Sequence, residues 1–259
     1  MTTQRSIAAA LLAITGAICA TTVSPTAQAD RPVPFKAGES LVYDVSWTTF
    51  LTAGQATMSV KERRSAGGGR SQYLLVAEGQ PSSMLQKLYH LYYKAESMMD
   101  TQSLRPSTAT VYSDENGRKR YKTSRFMGNG TVAYEIRTAT SAKSTVKVDP
   151  TAQDPLGAIY VLRALPLKPG QAPFTIPVTD SGKAYRLRVT VGGVEQVKTG
   201  IGTLPAIKLT LSATETNGKA AEASNLTLWL SNDARKLPLK FTAGLAVGSF
   251  QLTLARVSG

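Results

Sequence analysis

Alternating apolar and polar residues run through most of the chain and predict β-strands. The first clear case has Leu41, Tyr43, Val45 and Trp47 on one face, with more polar residues between them. This period of two is typical of a strand with one buried face. Similar runs predict strands at residues 53–60, 72–77, 89–99, 108–112, 118–126, 132–138, 144–148, 174–178, 185–191, 194–199, 206–213, 226–230, 237–242 and 249–257.

Three Asn-Gly pairs, beginning at Asn116, Asn129 and Asn217, lie between these runs. Asn-Gly between two strands is a strong hairpin signal, because both residues tolerate the positive φ angles of a tight turn. About a dozen short antiparallel strands at regular spacing indicate a barrel, a sandwich or a spiral sheet. A short helix is also predicted at residues 81–88.

The clearest departure from the strand pattern is a predicted helix at about residues 154–165. Asp154 suits the N-cap, Pro155 suits the first helical position, and Pro166 discourages continuation. The residues between them are apolar nearly all round, which predicts a buried helix. We therefore expect a mainly β fold, in which a long antiparallel sheet curls into an open barrel or spiral around this central helix.

Residues 1–29 have the pattern of a cleavable signal peptide. Arg5 precedes an apolar run at residues 7–20, and Ala27-Gln28-Ala29 supplies the small residues that a signal peptidase reads. The apolar run is shorter than the roughly 20 residues that span a bilayer. We predict export, with cleavage between Ala29 and Asp30, and a periplasmic protein. Removal of 29 residues from 259 leaves 230, which suits one all-β domain at residues 30–259.

The composition narrows the possible chemistry. Cys19 is the one cysteine, and it lies in the predicted signal peptide, so disulfides and thiolate sites are not expected. Ile18 before it fits a lipoprotein signal badly. The formal net charge is +13, which favours anionic surroundings such as lipid head groups or lipopolysaccharide, or keeps a monomer in solution.

Motifs along the chain resemble a known family. The chain carries an opening strand from Phe35 to Trp47 with Gly54-Gln55-Ala56 after it, a central motif of Gln153, Asp154, Pro155, Tyr160 and Arg163 followed by residues 167–170, and a final motif of residues 228–233, Leu237-Pro238 and Gly248-Ser249. In this order they resemble the exported bacterial domain-of-unknown-function family 3108, over residues 35–257. Gly157-Ala158 departs from the serine-alanine pair expected there.

The resemblance implies a periplasmic, mostly antiparallel β protein whose sheet curls around a helix. It implies no established activity. It marks Gln153, Asp154, Pro155 and Asp233 as structural motif residues. A loose similarity in shape to lipoprotein carriers and envelope-integrity proteins is an analogy between folds, and a fold alone does not carry a function.

Groups suited to catalysis are scarce. His90 is the one histidine and lies in an apolar, tyrosine-rich run, so we expect a packed or rim residue and no histidine-based metal site. Paired carboxylates could hydrolyse a glycan, and the candidates are Asp44, Glu96, Asp154, Glu195 and Asp233. We rank this hydrolase lowest, and expect a non-enzymatic protein without cofactors.

Arg163 is the most informative candidate for binding, because it is a charged residue on an otherwise apolar helix. Its guanidinium must be paired or must reach the rim. It either pairs with Glu195 or another strand carboxylate, or meets an anionic ligand together with Tyr160, three residues earlier on the same face. Trp47 and Trp229 are expected in the core, with a sugar-stacking platform as the alternative.

The run at residues 118–125 is the densest basic patch, and Tyr121 is interleaved in it. Such a run could bind nucleic acid, but predicted export makes a solvated sheet edge or an anionic membrane surface the better interpretation. Our leading hypothesis is an envelope protein that holds an apolar or amphipathic ligand, such as a lipid, or a protein partner. The alternative is a carbohydrate-binding or peptidoglycan-binding protein.

Overall fold

The computed structural model describes residues 29–47, 51–87, 90–221, 224–245 and 248–259. The predicted signal peptide, up to Gln28, therefore lies outside the described residues. Within these ranges there are fourteen strands and two helices: β1 Ser40–Trp47, β2 Leu51–Gly67, β3 Arg70–Pro81, α1 Ser83–Gln86, β4 Leu91–Asp100, β5 Pro106–Glu115, β6 Arg118–Phe126, β7 Thr131–Arg137, β8 Ser141–Lys147, α2 Pro155–Ala164, β9 Phe174–Asp180, β10 Lys183–Thr199, β11 Gly202–Glu215, β12 Ser224–Ser231, β13 Pro238–Leu245 and β14 Gly248–Ser258.

The described strands form one antiparallel sheet that does not close. Its order is β8-β7-β6-β5-β4-β3-β2-β1-β14-β13-β12-β11-β10-β9. Sequence neighbours pair as hairpins, and β1 joins the two halves by pairing with β14. The connection from β8 to β9 carries α2 from one end of the sheet to the other. The predicted open, curled sheet is confirmed.

Helix α2 packs against both halves of the sheet. Leu156 and Tyr160 belong to a core cluster that contains residues of β1–β4 and of β10–β14, and Ala158 and Leu162 belong to a second cluster with residues of β9–β12. The helix has apolar side chains on all sides because both sides are covered. The predicted central helix is confirmed, with Asp154 as its N-cap.

The hairpin of β9 and β10 brings the two ends of the sheet together. The turn between β9 and β10 places Ser181 and Gly182 beside the first strands of the sheet order. Lys122 Nζ of β6 donates a hydrogen bond to Ser181 Oγ at 2.8 Å. A Cβ atom on Gly182 would lie 2.9 Å from Tyr134 Cδ1 and 3.3 Å from Ser144 Oγ. The two ends of the sheet therefore meet through side chains and not through strand pairing.

The strand boundaries differ from the predicted ones in one instructive place. Residues 185–191 and 194–199 were expected as two strands, but they form one strand, β10. The pairing with β11 is interrupted only between Val191 and Val194, where Gly192-Gly193 makes a bulge that bends the strand without ending it. The helix predicted at 81–88 is the shorter α1. Among the described helices, none has the length and apolarity needed to cross a bilayer.

Candidate ligand-binding cavity

Arg163, the predicted binding residue, is paired inside the protein. It is 1% exposed. Its Nη1 donates to Glu39 Oε1 at 2.6 Å, and its Nη2 donates to Glu39 Oε2 at 2.8 Å. This two-bond geometry is the strongest arrangement of arginine and carboxylate. The alternative in which Arg163 pairs with a carboxylate is therefore the observed one, but the partner is Glu39 and not Glu195.

The loop after β12 completes the surroundings of Arg163. Arg163 Nε donates to the carbonyl of Lys236 at 3.1 Å, and Nη2 donates to that of Arg235 at 3.4 Å. Asp233 shapes this loop, since its Oδ1 accepts hydrogen bonds from Ser231 Oγ at 2.6 Å and from the amides of Arg235 and Lys236. Asp233 thus fixes the loop backbone whose carbonyl groups accept hydrogen bonds from Arg163.

Aromatic rings cover the same guanidinium. The rings of Phe35 and Tyr160 both lie 5.2 Å from Arg163 Cζ, and the two rings meet edge to face at 5.0 Å. Burial raises the pKa of the Tyr160 hydroxyl, so this group stays neutral. Tyr160 and Arg163 therefore belong to the packed end of the fold, which is the end where α2 finishes and side chains fill the interior.

The other end of α2 is held by a buried carboxylate. Asp154 Oδ1 accepts the amide of Gly157 at 2.9 Å, and Oδ2 accepts the hydroxyl of Ser97 at 2.6 Å. Burial raises the pKa of Asp154, although these hydrogen bonds oppose the shift. Gln153 exchanges backbone hydrogen bonds with Pro177 and Thr179 of β9. These bonds cover part of the free edge of β9, which is the last strand in the sheet order.

Inward-facing side chains on β2 and β3 become smaller with distance from the packed end. Val60 pairs with Leu75, Met58 pairs with Ala77, and Ala56 pairs with Gly79. Cross-strand partners face the same side of a sheet, so each step along the strands leaves more space inside. The middle level continues from Ala77 through Ala95 and Val111 to Lys122 on β6.

The space left by these small residues is a cavity of about 470 Å³ between α2 and the sheet. Its lining includes Ala77, Ala95, Ala109, Val111 and Leu252 from the sheet and Leu156 and Ile159 from the helix. This volume lies in the range of roughly 300–1,000 Å³ that is usual for small-molecule sites. The helix therefore fills one end of the curled sheet and leaves the rest hollow.

A second cavity of about 540 Å³ lies on the other side of the same helix. It is lined by Leu162, Leu187, Leu211, Ala213 and Leu226, among others. Pro155, Ile159, Asp180, Ser181 and Phe241 line both cavities. The two spaces are thus branches that adjoin along the first turns of α2 and the turn between β9 and β10.

Polar groups collect where the branches adjoin. Lys122 lines the first branch, Lys183 lines the second, and Asp180 and Ser181 line both. Lys183 pairs with Glu215 at 2.9 Å, and Asp180 Oδ2 accepts the Ser181 hydroxyl at 3.1 Å. Tyr93 stands beside this region, and burial with the charges of Asp180 and Asp154 raises its pKa to about 12.

The remaining predicted site residues lie apart from the cavities. Glu195 is on the surface and pairs with Lys208 at 3.2 Å. Trp229 is 8% exposed, as expected for a core residue, and Lys208 and Lys240 lie over its ring. Trp47 is 38% exposed, so the expectation that it belongs to the core is wrong. It lies at the end of β1, where its ring has room to stack on Phe250 at 6.1 Å.

The carboxylates that were considered for hydrolysis are dispersed. Asp44 and Glu195 are exposed, Glu96 pairs with Lys94 at 2.8 Å, and Asp233 pairs with Arg235 at 3.0 Å. His90 is an exposed rim residue, with Nε2 3.9 Å from Asp114. Across the described ranges, no group of three or more histidine, cysteine or acidic residues is placed to hold a metal ion.

The sequence interpretation missed the residues that make the cavities. The signal was present as small residues at alternate positions, such as Ala56 on β2, Ala77 on β3 and Ala95 on β4. In a single strand such residues look like weak packing. Their meaning appears only when the registers of neighbouring strands place them at one level.

The comparisons with known proteins agree with this architecture. The model of a family described as "Protein of unknown function (DUF3108)" matches residues 42–255. The chain belongs to the DUF3108 family. The resemblance found in the motifs is therefore confirmed. Asp154, Arg163 and Asp233, which belong to those motifs, make the contacts described above in this DUF3108 protein. No curated protein matches the chain.

One solved structure shows the fold of this DUF3108 protein in another protein. A β-barrel-like protein of domain of unknown function DUF1849 from Brucella abortus has a TM-score of 0.54 at 12% identity, over 89% of this chain and 99% of that one. A Bacteroides fragilis protein described as exported, with a YmcC-like fold, scores 0.35 at 11% identity over 89% and 100%. A Parabacteroides distasonis protein described as a lipoprotein scores 0.36 at 8% over 89% and 100%. The last two scores are too low to support an argument.

Proposed function

We propose that this DUF3108 protein is an exported, non-enzymatic protein of the periplasm that binds an apolar or amphipathic small molecule inside its curled sheet. The observation that carries the proposal is the apolar cavity of about 470 Å³ between α2 and strands β2–β6. Apolar surface that moves from water into such a cavity gains roughly 25 cal/mol per Å². A ligand with an apolar part therefore gains most by entering.

The packing of α2 supports a binding role. Asp154 and Arg163 hold the two ends of the helix by buried contacts, so the helix wall of the cavity has a fixed position. A wall fixed in this way reduces the ordering cost of binding. Binding of this kind requires no catalytic group.

The sequence supports the compartment and the partners. Residues 1–29 have the pattern of a cleavable signal, and the net charge is +13. A basic exported protein meets anionic lipid or lipopolysaccharide at the membrane surface. We therefore place a monomer in the periplasm, with a lipid, lipopolysaccharide or an envelope protein as its partner and with no nucleic acid.

Fluorescence of the apolar probe phenylnaphthylamine tests cavity binding. We expect a saturable rise in emission, and a loss of most of this rise in the double variant Ala95→Phe with Ala213→Phe, whose added rings occupy both cavities. The matched control is Ala142→Phe, because Ala142 is exposed on β8 and lines neither cavity. Equal emission from the double variant and Ala142→Phe, with both proteins folded, would show that the probe binds outside the cavities.

One observation favours carbohydrate binding as the second candidate. Trp47 and Phe250 stack with their planes only 10° apart, and Trp47 is 38% exposed. A flat, partly exposed aromatic surface suits the face of a sugar ring. Binding to peptidoglycan fragments that Trp47→Ala abolishes, while phenylnaphthylamine binding is unchanged, would establish this candidate.

A further inference from the structure

We infer that the ligand is a two-chain amphiphile whose head group carries a phosphate, with one apolar chain in each branch. This inference rests on the proposed function and makes its ligand specific. It starts from the observation that the interior has two branches, one on each side of the Pro155–Ile159 part of α2.

The two branches are alike in size and chemistry. Their volumes are about 470 Å³ and about 540 Å³. The apolar lining of the first includes Ala56, Ala77, Ala95, Ala109 and Val111 of β2–β5, and that of the second includes Leu187, Leu211, Ala213 and Leu226 of β10–β12. A ligand with one chain would fill one branch and leave the other branch's apolar walls uncovered, whereas two similar chains bury both walls.

The polar groups lie where such a molecule would have its head. Asp180 and Ser181 line both branches, with Lys122 beside the first and Lys183 beside the second. The hydrogen-bond partner of Lys122 Nζ is the neutral hydroxyl of Ser181, and Lys122 is half-buried. A phosphate oxygen would give this ammonium a charged partner, which makes a stronger hydrogen bond than a hydroxyl does.

The carboxylates of the same region are already engaged. Glu215 accepts from Lys183 Nζ at 2.9 Å and from Asn217 at 3.1 Å, and Asp180 accepts from Ser181. Lys219 lies near them in the lining of the second branch. Lys183 therefore already has a carboxylate partner, whereas Lys122 Nζ bonds to the hydroxyl of Ser181, so Lys122 is the cation of the junction that an anionic head would meet.

Native mass spectrometry with three defined lipids tests the two chains and the phosphate head group separately. The probes are dioleoyl phosphatidylglycerol, its one-chain lysolipid, and dioleoylglycerol, which lacks the phosphate. We expect one dioleoyl phosphatidylglycerol per protein, with affinity about tenfold or more above that of the other two probes. Lys122→Met should lower the affinity for dioleoyl phosphatidylglycerol and leave the affinity for dioleoylglycerol unchanged.

Variants that fill one branch test the two-chain assignment. Ala77→Phe fills the first branch, Ala213→Phe fills the second, and Ala142→Phe is the exposed control. Each filled branch should lower the affinity for dioleoyl phosphatidylglycerol about tenfold and leave the lysolipid nearly unchanged, because the other branch still takes one chain. If a phenylalanine variant does not fold, the leucine variant at the same position replaces it.

The outcomes separate this inference from the proposed function. Equal affinity for the lysolipid and the two-chain lipid, with no effect of Ala213→Phe on either, would overturn the two-chain assignment and leave cavity binding intact. Equal affinity for dioleoylglycerol and dioleoyl phosphatidylglycerol would overturn the assignment of a phosphate head group. A wild-type protein that binds neither these lipids nor phenylnaphthylamine would overturn the proposed function itself.

Discussion

Arg163 and Glu39 join helix α2 to the start of the sheet across 124 positions of sequence, through two hydrogen bonds of 2.6 and 2.8 Å. Glu39 immediately precedes β1, and its carbonyl accepts the amide of Val60 on β2. The pair therefore fixes the helix against the strands that join the two halves of the sheet. Its role in the described structure is architectural.

Loss of one partner of this pair should be costly. Arg163→Met leaves the Glu39 carboxylate buried without its cation, and we expect a loss of about 3–5 kcal/mol in the free energy of unfolding. Denaturant unfolding followed by circular dichroism measures this change. The control is Glu195→Gln, which breaks the exposed pair with Lys208 and should cost about 0–1 kcal/mol.

The double variant Arg163→Met with Glu39→Met separates charge pairing from packing. Replacing both partners removes the uncompensated charge, so it should be more stable than Arg163→Met alone. A double variant that is as unstable as the single one would contradict this account and would assign the cost to lost packing against Phe35 and Tyr160.

Asp154 should make a pH-dependent contribution to stability. Burial raises its pKa in the folded state above 3.8, the value for an unperturbed aspartate. A raised folded-state pKa contributes stability that is complete below the unfolded value and is lost as the pH rises through the folded value. The stability of the wild type relative to Asp154→Asn should therefore fall as the pH rises from below 3.8.

The difference between the two proteins isolates this residue, because asparagine also suits an N-cap. Unfolding curves of both proteins at several pH values between acid and neutral give the difference directly. A difference that rises with pH would mean that the hydrogen bonds from Ser97 and Gly157 outweigh burial.

The turn between β9 and β10 should be sensitive to a single methyl group. Gly182 has φ +75°, and a Cβ there would lie 2.9 Å from the Tyr134 ring. Gly170 has nearly the same φ, +73°, but nothing lies within 4 Å of its Cβ position. Gly170→Ala should cost about 1–2 kcal/mol from backbone conformation alone, and Gly182→Ala should cost more.

Chemical denaturation of the two alanine variants measures this contact between the two ends of the sheet. A larger cost at Gly182 supports the packing of the turn between β9 and β10 on β7. Equal costs would mean that the turn moves away from Tyr134 without loss.

The open edge of the sheet should be protected by its lysines. Strand β8 ends the sheet, and Lys143 and Lys147 are exposed on it. Exposed charges on an edge strand hinder pairing with other chains. Replacing both lysines by valine should produce dimers or aggregates, seen by size-exclusion chromatography with light scattering.

Matched substitutions on interior strands control for the loss of charge. Lys61 on β2 and Lys119 on β6 are also exposed, but both strands have a neighbour on each side. Lys61→Val with Lys119→Val should stay monomeric. Aggregation of both double variants to the same extent would show that net charge, and not the edge, keeps the protein monomeric.

The sequence by itself determined the local elements and their class. Alternation predicted the strands, Asp154 and Pro155 predicted the start of α2, and Asn116-Gly117 predicted the turn between β5 and β6, where both residues have positive φ. These features depend on neighbouring residues, so they can be recognised in a single sequence. The burial of Arg163 also made its pairing a requirement before its partner was known.

Tertiary structure decided everything that depends on residues far apart in the chain. Glu39 became the partner of Arg163, and Glu195 did not, because the curl of the sheet brings the start of β1 to the end of the helix. The branches appeared because strand register aligns Ala77 with Ala95 and brings Lys122 to the same level as Val111. A sequence states which side chains are small, but only the register of the sheet decides whether they leave a shared space.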